Sequence, residues 1–236
     1  MDKHDFIQWV REVGPTYSPG DHVRRQLENV ELVAIVGPTG VGKTTLIGHL
    51  GLPSVPCDVT RSRRKGESKY EVYRFHEEYD SLKKDIEQGN FVQFVVSRTD
   101  EFYGTKIDAY MHRGPCIMAI VASAIPSFKK FGFKKLTQIY VMPPGYVAWM
   151  KRVSALKSHG ISERMQEAAE SIKLAIADDE YNFVLNDDLD TAVDDIHKTI
   201  ASQEVNEHRV SLARESADML LKRLGGVDDD LYFSDK

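Results

Sequence analysis

Leu32-Val33-Ala34-Ile35-Val36-Gly37-Pro38-Thr39-Gly40-Val41-Gly42-Lys43-Thr44-Thr45-Leu46-Ile47 decides the fold. Its opening apolar run shows no alternation, which reads as a strand buried on both faces. Gly37 to Thr44 then spells G-x-x-x-x-G-K-T, and the residues after it open a helix. Glycines let the backbone curl so that successive N–H groups point inward. Such a nest at a helix start binds polyphosphate through hydrogen bonds and the helix dipole together. Gly37, Pro38, Thr39, Gly40, Val41, Gly42, Lys43, Thr44 and Thr45 are therefore the expected ATP contacts. Lys43 would reach the β and γ phosphates, and the Thr44 hydroxyl would be a Mg2+ ligand.

Outward from this stretch, the apolar runs Cys116 to Ala122, Leu136 to Met142 and Phe183 to Leu185 alternate with helical patterns. Helices are expected near Lys106–His112, Ser127–Lys130, Tyr146–Lys157 and Ser162–Ala177, and after Asp188 as N-cap. The fold class is α/β: a P-loop NTPase three-layer parallel sheet with a small inserted β-rich acceptor-binding unit. Phe6, Ile7, Trp9, Val10 and Val13 recur at helical spacing, and a second short helix runs from Asp21 as N-cap to Asn29. The expected organisation is an N-terminal helical appendage over 1–30 and a core over 31–60 and 105–203. An acceptor-binding insertion spans 61–104, and a C-terminal helix and tail occupy 204–236.

The chain has 236 residues and 42% hydrophobic content, enough for one α/β domain with extensions. A net charge of −5 argues against nucleic acid as a partner, which usually demands a basic field. No run approaches the roughly 18 apolar residues that span a bilayer, and no signal architecture opens the chain. A cytoplasmic protein that does not engage a membrane is expected. Cys57 and Cys116 lack metal or redox spacing, so neither zinc nor a disulfide is expected. Nothing in the sequence specifies an oligomeric state.

A phosphate loop followed by an insertion rich in arginine and tyrosine suggests two phosphate sites, one for a triphosphate donor and one for a phosphorylated acceptor. Thr60-Arg61-Ser62-Arg63-Arg64-Lys65-Gly66-Glu67, Tyr73-Arg74-Phe75, Phe102-Tyr103-Gly104-Thr105 and Val184-Leu185-Asn186-Asp187-Asp188-Leu189 occur in that order. Together with the loop they resemble the guanylate kinase family over roughly Leu32 to Ile200. The family words are T-R-x-x-R-x-G-E, Y-x-F, Y-Y-G-[ST] and V-x-N-D-D-L. The resemblance implies that Arg61, Arg64, Tyr73 and Tyr103 hold the acceptor's phosphate, with arginine forks and neutral tyrosine donors. It places Asn186 near the donor base, and it makes Lys43, Arg61, Arg152 and Arg164 the catalytic cations. The resemblance also implies a helical lid at about 152–164, shortened here, in which Lys157 is a weaker match.

The departures fall on the positions that read guanine. Cys57 stands for a serine, Gln93 for a glutamate, and Ala119 with Val121 for aspartates, while Thr105 keeps the expected hydroxyl. Cys57, Gln93 and Thr105 are thus the base-facing members of the substrate set. A glutamine offers one acceptor and one donor where glutamate offers two acceptors and a charge, which costs about 1.5–3 kcal/mol of acceptor binding. No carboxylate occurs between Gly114 and Phe128; Asp58 reads first as a turn residue and second as a replacement. The leading expectation is γ-phosphoryl transfer from ATP to a nucleoside monophosphate, GMP or dGMP foremost. The same chemistry on ribose 1,5-bisphosphate and a catalytically weak binding module are the alternatives.

Overall fold

The computed structural model describes residues 1–63, 73–97, 100–110, 113–155 and 161–225. They fall into two compact units, one of Met1–Leu32, Leu52–Ile117 and Ser127–Leu136, the other of Val33–Gly51, Met118–Pro126 and Thr137–Lys236.

The second unit is built on a sheet. Strands β1 (Glu31–Val36), β6 (Cys116–Ala119), β7 (Lys135–Met142) and β8 (Asn182–Leu185) lie in the order β6-β1-β7-β8. Strands β7 and β8 pair in parallel. Val33 to Val36 are almost wholly removed from water, as an apolar run without alternation requires. The helices of this unit are α3 (Lys43–His49), α6 (Tyr146–Ser154), α7 (Ile161–Ile176), α8 (Leu189–Ile200) and α9 (Glu207–Gly225). Asp188 caps α8, its side chain accepting from the Thr191 N–H at 2.9 Å. Helix α9 packs on β8, α6 and α7.

The first unit carries a second sheet in the order β3-β2-β5-β4, from β2 (Cys57–Val59), β3 (Tyr73–Phe75), β4 (Phe91–Val96) and β5 (Phe102–Lys106). Strands β2 and β3 are parallel, while β2/β5 and β4/β5 are antiparallel. Helices α1 (Lys3–Val13), α2 (Asp21–Leu27) and α4 (Asp80–Glu87) belong to the same unit. Phe6, Ile7 and Val10 share one face of α1 and enter a core with Leu82, Ile86, Phe91 and Phe102. Phe6 stacks on Tyr79 at 5.3 Å and meets Phe102 edge-on at 5.6 Å. The Tyr17 hydroxyl donates to the Phe91 carbonyl at 2.6 Å. Helix α1 thus forms one wall of the core of the β-rich unit.

Several local expectations shift. Residues 102–106 form a strand, and the helix expected over Lys106–His112 is a 3-10 turn, Ile107–Tyr110. Phe102, Tyr103 and Thr105 favour a pleated surface, and Gly104 permits it because the Phe91 and Phe102 rings lie where its Cβ would stand, 2.7 Å away. Strand β6 stops at Ala119, and Ala122–Ala124 turns as 3-10. Gly20, not Asp21, is the cap of α2. Of the strand expected over 68–75, only Tyr73–Phe75 falls within the described residues.

Because Phe6 is fully buried against two aromatic rings, Phe6→Ala is expected to destabilise the protein by about 3–5 kcal/mol. Urea unfolding measures this; a loss near zero would return α1 to the status of an appendage.

Candidate active site

In the second unit the phosphate loop leaves the end of β1 and enters α3, with backbone that only glycine tolerates. Gly37 has φ +144° and Gly42 φ +100°. A Cβ at Gly37 would lie 2.6 Å from the Val141 carbonyl oxygen, and one at Gly42 would lie 2.6 Å from Asn186 Nδ2. Lys43 begins α3 and turns back over the loop, donating to the carbonyls of Gly37 at 2.6 Å and Pro38 at 3.0 Å. Burial pulls its pKa down to about 8, with the Glu167 carboxylate opposing the shift.

The loop is braced from outside. Asn186 Nδ2 donates to the Val41 carbonyl at 2.7 Å, and Arg152 NH1 reaches the same oxygen at 3.2 Å. Arg152 NH2 bonds the Asn186 carbonyl at 2.9 Å, and Trp149 Nε1 bonds the Thr39 carbonyl at 2.9 Å. Thr44 is partly buried on the first turn of α3 and Thr45 is exposed. Asn186, expected beside the donor base, and Arg152, expected on the transferring group, therefore hold the loop in this structure. Arg164 is buried, and its NH1 donates to the Val153 carbonyl at 3.1 Å. Lys157 and the rest of 156–160 lie outside the described residues.

Sequence reading missed Glu167. Lys43, Ala119, Val121, Ser123 and Glu167 line one cleft of about 250 Å³. Glu167 Oε2 accepts from Thr39 Oγ1 at 3.3 Å. Helix α7 thus brings the Glu167 and Glu170 carboxylates to the cleft that Ala119 and Val121 line. The available signal was spacing: Glu167 follows Arg164 by three residues, so both occupy one helical face.

In the first unit, strand register determines which candidates meet. Cys57 pairs with Tyr73, Val59 with Phe75 and Tyr103, and Gln93 with Thr105. Since paired residues share a face and successive residues alternate, Cys57, Tyr73, Gln93, Tyr103 and Thr105 occupy one side of the sheet. The Arg61 guanidinium lies over the Tyr73 ring at 4.5 Å and that of Arg63 over Phe75 at 4.6 Å, cation–π contacts that preorient both forks. Arg61 is itself buried and donates to the Ser62 carbonyl at 3.0 Å. Arg64 lies outside the described residues.

Thr105 is fully buried, its hydroxyl shared with that of Tyr110 at 2.7 Å, so it is already committed within the fold. Burial and the charge of Asp58 push the Cys57 thiol up to about 12, leaving a neutral, weak donor. Asp58 is neither a turn residue nor a replacement reader on this face. It is fully buried mid-strand on the opposite face, accepting from His76 Nε2 at 2.7 Å, with Lys106 Nζ and Arg74 NH1 each at 3.9 Å.

The donor half fits a magnesium–nucleoside triphosphate. The positive-φ glycines form a cradle that any Cβ would fill, Lys43 is the cation, and Thr44 offers a hydroxyl. Among the described residues no three His, Cys, Asp or Glu side chains converge on a metal site. Magnesium would be held by Thr44, phosphate oxygens and water, which suits its reluctance to dehydrate.

The lysine imposes a pH limit. Below about pH 8 Lys43 is charged and attracts polyphosphate; above it the free protein loses that proton, well before the ordinary value of 10.5. ATP affinity is expected to weaken as pH rises through 8, and Lys43→Ala to flatten the profile; calorimetric titration on both sides of pH 8 checks this. The unbound fold shows the opposite slope. With the folded pKa below the unfolded one, the penalty for the buried charge is relieved between about 8 and 10.5.

The guanylate kinase family model matches residues 29–203. Guanylate kinase of Parasynechococcus marenigrum (strain WH8102) is 30% identical over 177 residues, covering 69% of this chain and 93% of its own. That of Trichormus variabilis (strain ATCC 29413 / PCC 7937) is 27% identical over 177 residues, covering 69% and 85%. The crystal structure of guanylate kinase from Anaplasma phagocytophilum is similar in fold, with a TM-score of 0.54 at 21% identity over 77% of this chain and 89% of that one. The chain belongs to the guanylate kinase family of nucleoside monophosphate kinases.

Proposed function

We propose that the chain transfers the γ-phosphoryl group of ATP to a nucleoside monophosphate, GMP or dGMP foremost. The observation that carries this reading is the Arg61 guanidinium stacked on Tyr73, on the sheet that aligns Tyr103, in a chain whose other unit bears Lys43 on a phosphate loop. We assign the acceptor's phosphate to Arg61, Arg64, Tyr73 and Tyr103, where bidentate forks and neutral hydroxyls match its oxygens. The donor's phosphates go to Gly37–Thr45 and Lys43. Residues 61–104 act as the acceptor-binding insertion, and about 152–164 as the lid.

Transfer is in line, and because the acceptor is already an anion no strong general base is needed. Lys43 leaves the Gly37 and Pro38 carbonyls for the donor's β and γ oxygens, and it stabilises the charge that redistributes as the bond to the leaving oxygen lengthens. Arg152 and Arg164 come from α6 and α7, their present bonds to Val41, Asn186 and Val153 being the ones a closing lid exchanges for phosphoryl oxygens. Magnesium, when bound, supplies charge neutralisation across the donor's phosphates.

A second reading keeps the chemistry and changes the acceptor to a sugar bisphosphate. It is favoured by the commitment of Thr105 to Tyr110, which leaves Cys57 and Gln93 to read a base. A silent binding module is disfavoured by the retained lysine and threonine of the loop.

Coupled ADP release separates these readings, with MgATP and GMP, dGMP, AMP, UMP or ribose 1,5-bisphosphate, and Lys43→Ala as control. Turnover on GMP or dGMP is expected; turnover on the sugar bisphosphate alone selects the second reading, and none with any acceptor selects the binding module. Gln93→Glu is expected to lower the GMP Kd about tenfold by restoring a charge-assisted pair. An unchanged Kd would remove Gln93 from the base site.

A further inference from the structure

Helix α9 lies beyond the family-matched residues 29–203, yet it reaches the donor half of the chain. Asn206 precedes it and accepts from the His208 N–H at 3.1 Å, which sets where the helix starts and puts Arg209 on its first turn. Further along, Ser216 Oγ is buried and donates to the Pro143 carbonyl at 2.6 Å, while Arg214 lies over Phe183 at 4.4 Å. The helix is thus seated against β8 and the segment leading into α6.

Arg209 uses that seat to grip one short stretch. Its Nε donates to Asp195 Oδ2 at 2.7 Å, and its NH2 to Asp187 Oδ1 at 2.8 Å and to the Leu185 carbonyl at 3.0 Å. NH1 adds Asp187 Oδ2 at 3.3 Å. Leu185 and Asp187 flank Asn186, whose amide holds the Val41 carbonyl of the phosphate loop and whose own N–H donates to the Met142 carbonyl at 2.8 Å. The guanidinium is thereby tied to both neighbours of the residue that braces the loop. A forked arginine whose side chain is largely withdrawn from solvent suits this task, since its bonds share one rigid plane.

We infer that Arg209 is a positioning residue for the donor nucleotide, acting through Asn186 on the phosphate loop. The inference rests on the assignment of Gly37–Thr45 to ATP. Without Arg209 the Leu185 carbonyl and the Asp187 carboxylate lose their common partner, the turn they bound gains freedom, and Asn186 holds Val41 less often. A fold-only role would instead make the effect of removing Arg209 the same whether or not Asn186 is present.

Calorimetric titration of MgATP into the full chain tests it, using wild type, Arg209→Met, Arg209→Lys, Asn186→Ala and the Arg209→Met/Asn186→Ala double variant. Arg209→Met is expected to raise the ATP Kd about three- to tenfold, Arg209→Lys less, and the second change to add little once Asn186 is gone. An unchanged Kd, or the same penalty with and without Asn186, overturns the inference. Should Arg209→Met not fold, Asp187→Asn reads the same contact from the loop side, with the same expectation and the same overturning results. Absence of Lys43-dependent ATP binding in the wild type overturns the donor assignment and this inference with it, whereas intact wild-type binding with no effect at Arg209 overturns this inference alone.

Discussion

The Val41 carbonyl accepts from Asn186 Nδ2 and from Arg152 NH1. A loop whose glycines adopt positive φ has few internal hydrogen bonds to hold it, so its shape must be imposed by its surroundings. Here three elements impose it: the end of β8 through Asn186, α6 through Arg152 and Trp149, and β7 by close packing of Val141 on Gly37. The curl that can cradle polyphosphate is therefore a property of the whole second unit. Lys43, folded onto two carbonyls of the same loop, is stored where it is needed, and its partial desolvation weakens its hold on its proton.

The first unit separates its polar groups by strand alternation. One face of β2, β3, β4 and β5 carries Cys57, Tyr73, Gln93, Tyr103 and Thr105, with Arg61 lying over Tyr73. The other carries Asp58 with His76, Lys106 and Arg74, and Lys106 is bonded in turn to Asp85 at 3.0 Å. The Arg74 and Lys106 cations offset part of the desolvation cost of the Asp58 carboxylate, whose Oδ2 has no hydrogen-bond partner among the described residues. The cations on the opposite side, Arg61 and Arg63, rest on aromatic rings. α1 closes the unit through Phe6, Ile7 and Val10, which explains why an aromatic-rich helix precedes β1.

Much of this was legible in the residues. The unalternating run at Leu32–Val36, the glycine spacing after it and the capping aspartate at Asp188 each report a local constraint, and local constraints are visible in a linear string. The words around Arg61, Tyr73, Tyr103 and Asn186 carried the family likeness. Strand β5 was illegible as a strand because Gly104 weakens the pattern, and its reason for being glycine, the Phe91 ring, lies on another strand. Thr105 kept the expected hydroxyl in sequence yet is bonded to Tyr110, since burial depends on what packs above a residue. Glu167 was overlooked because it stands far along the chain from Lys43 and Ala119, whose cleft it lines.

By itself the sequence determined the α/β class, the phosphate-loop pattern and the order of the words that carry the family likeness, with Cys57, Gln93, Ala119 and Val121 standing where that likeness leads one to expect other residues. Those depend on residue identity and short spacing. Only the tertiary structure decided that Asn186 and Arg152 brace the loop, that Asp58 faces away from the substrate set, that Glu167 shares a cleft with Lys43, and that α9 reaches the Asn186 turn through Arg209. Each of these is a meeting of residues distant in the chain, and the direction of a side chain there follows from strand register and helix packing, which no local spacing encodes.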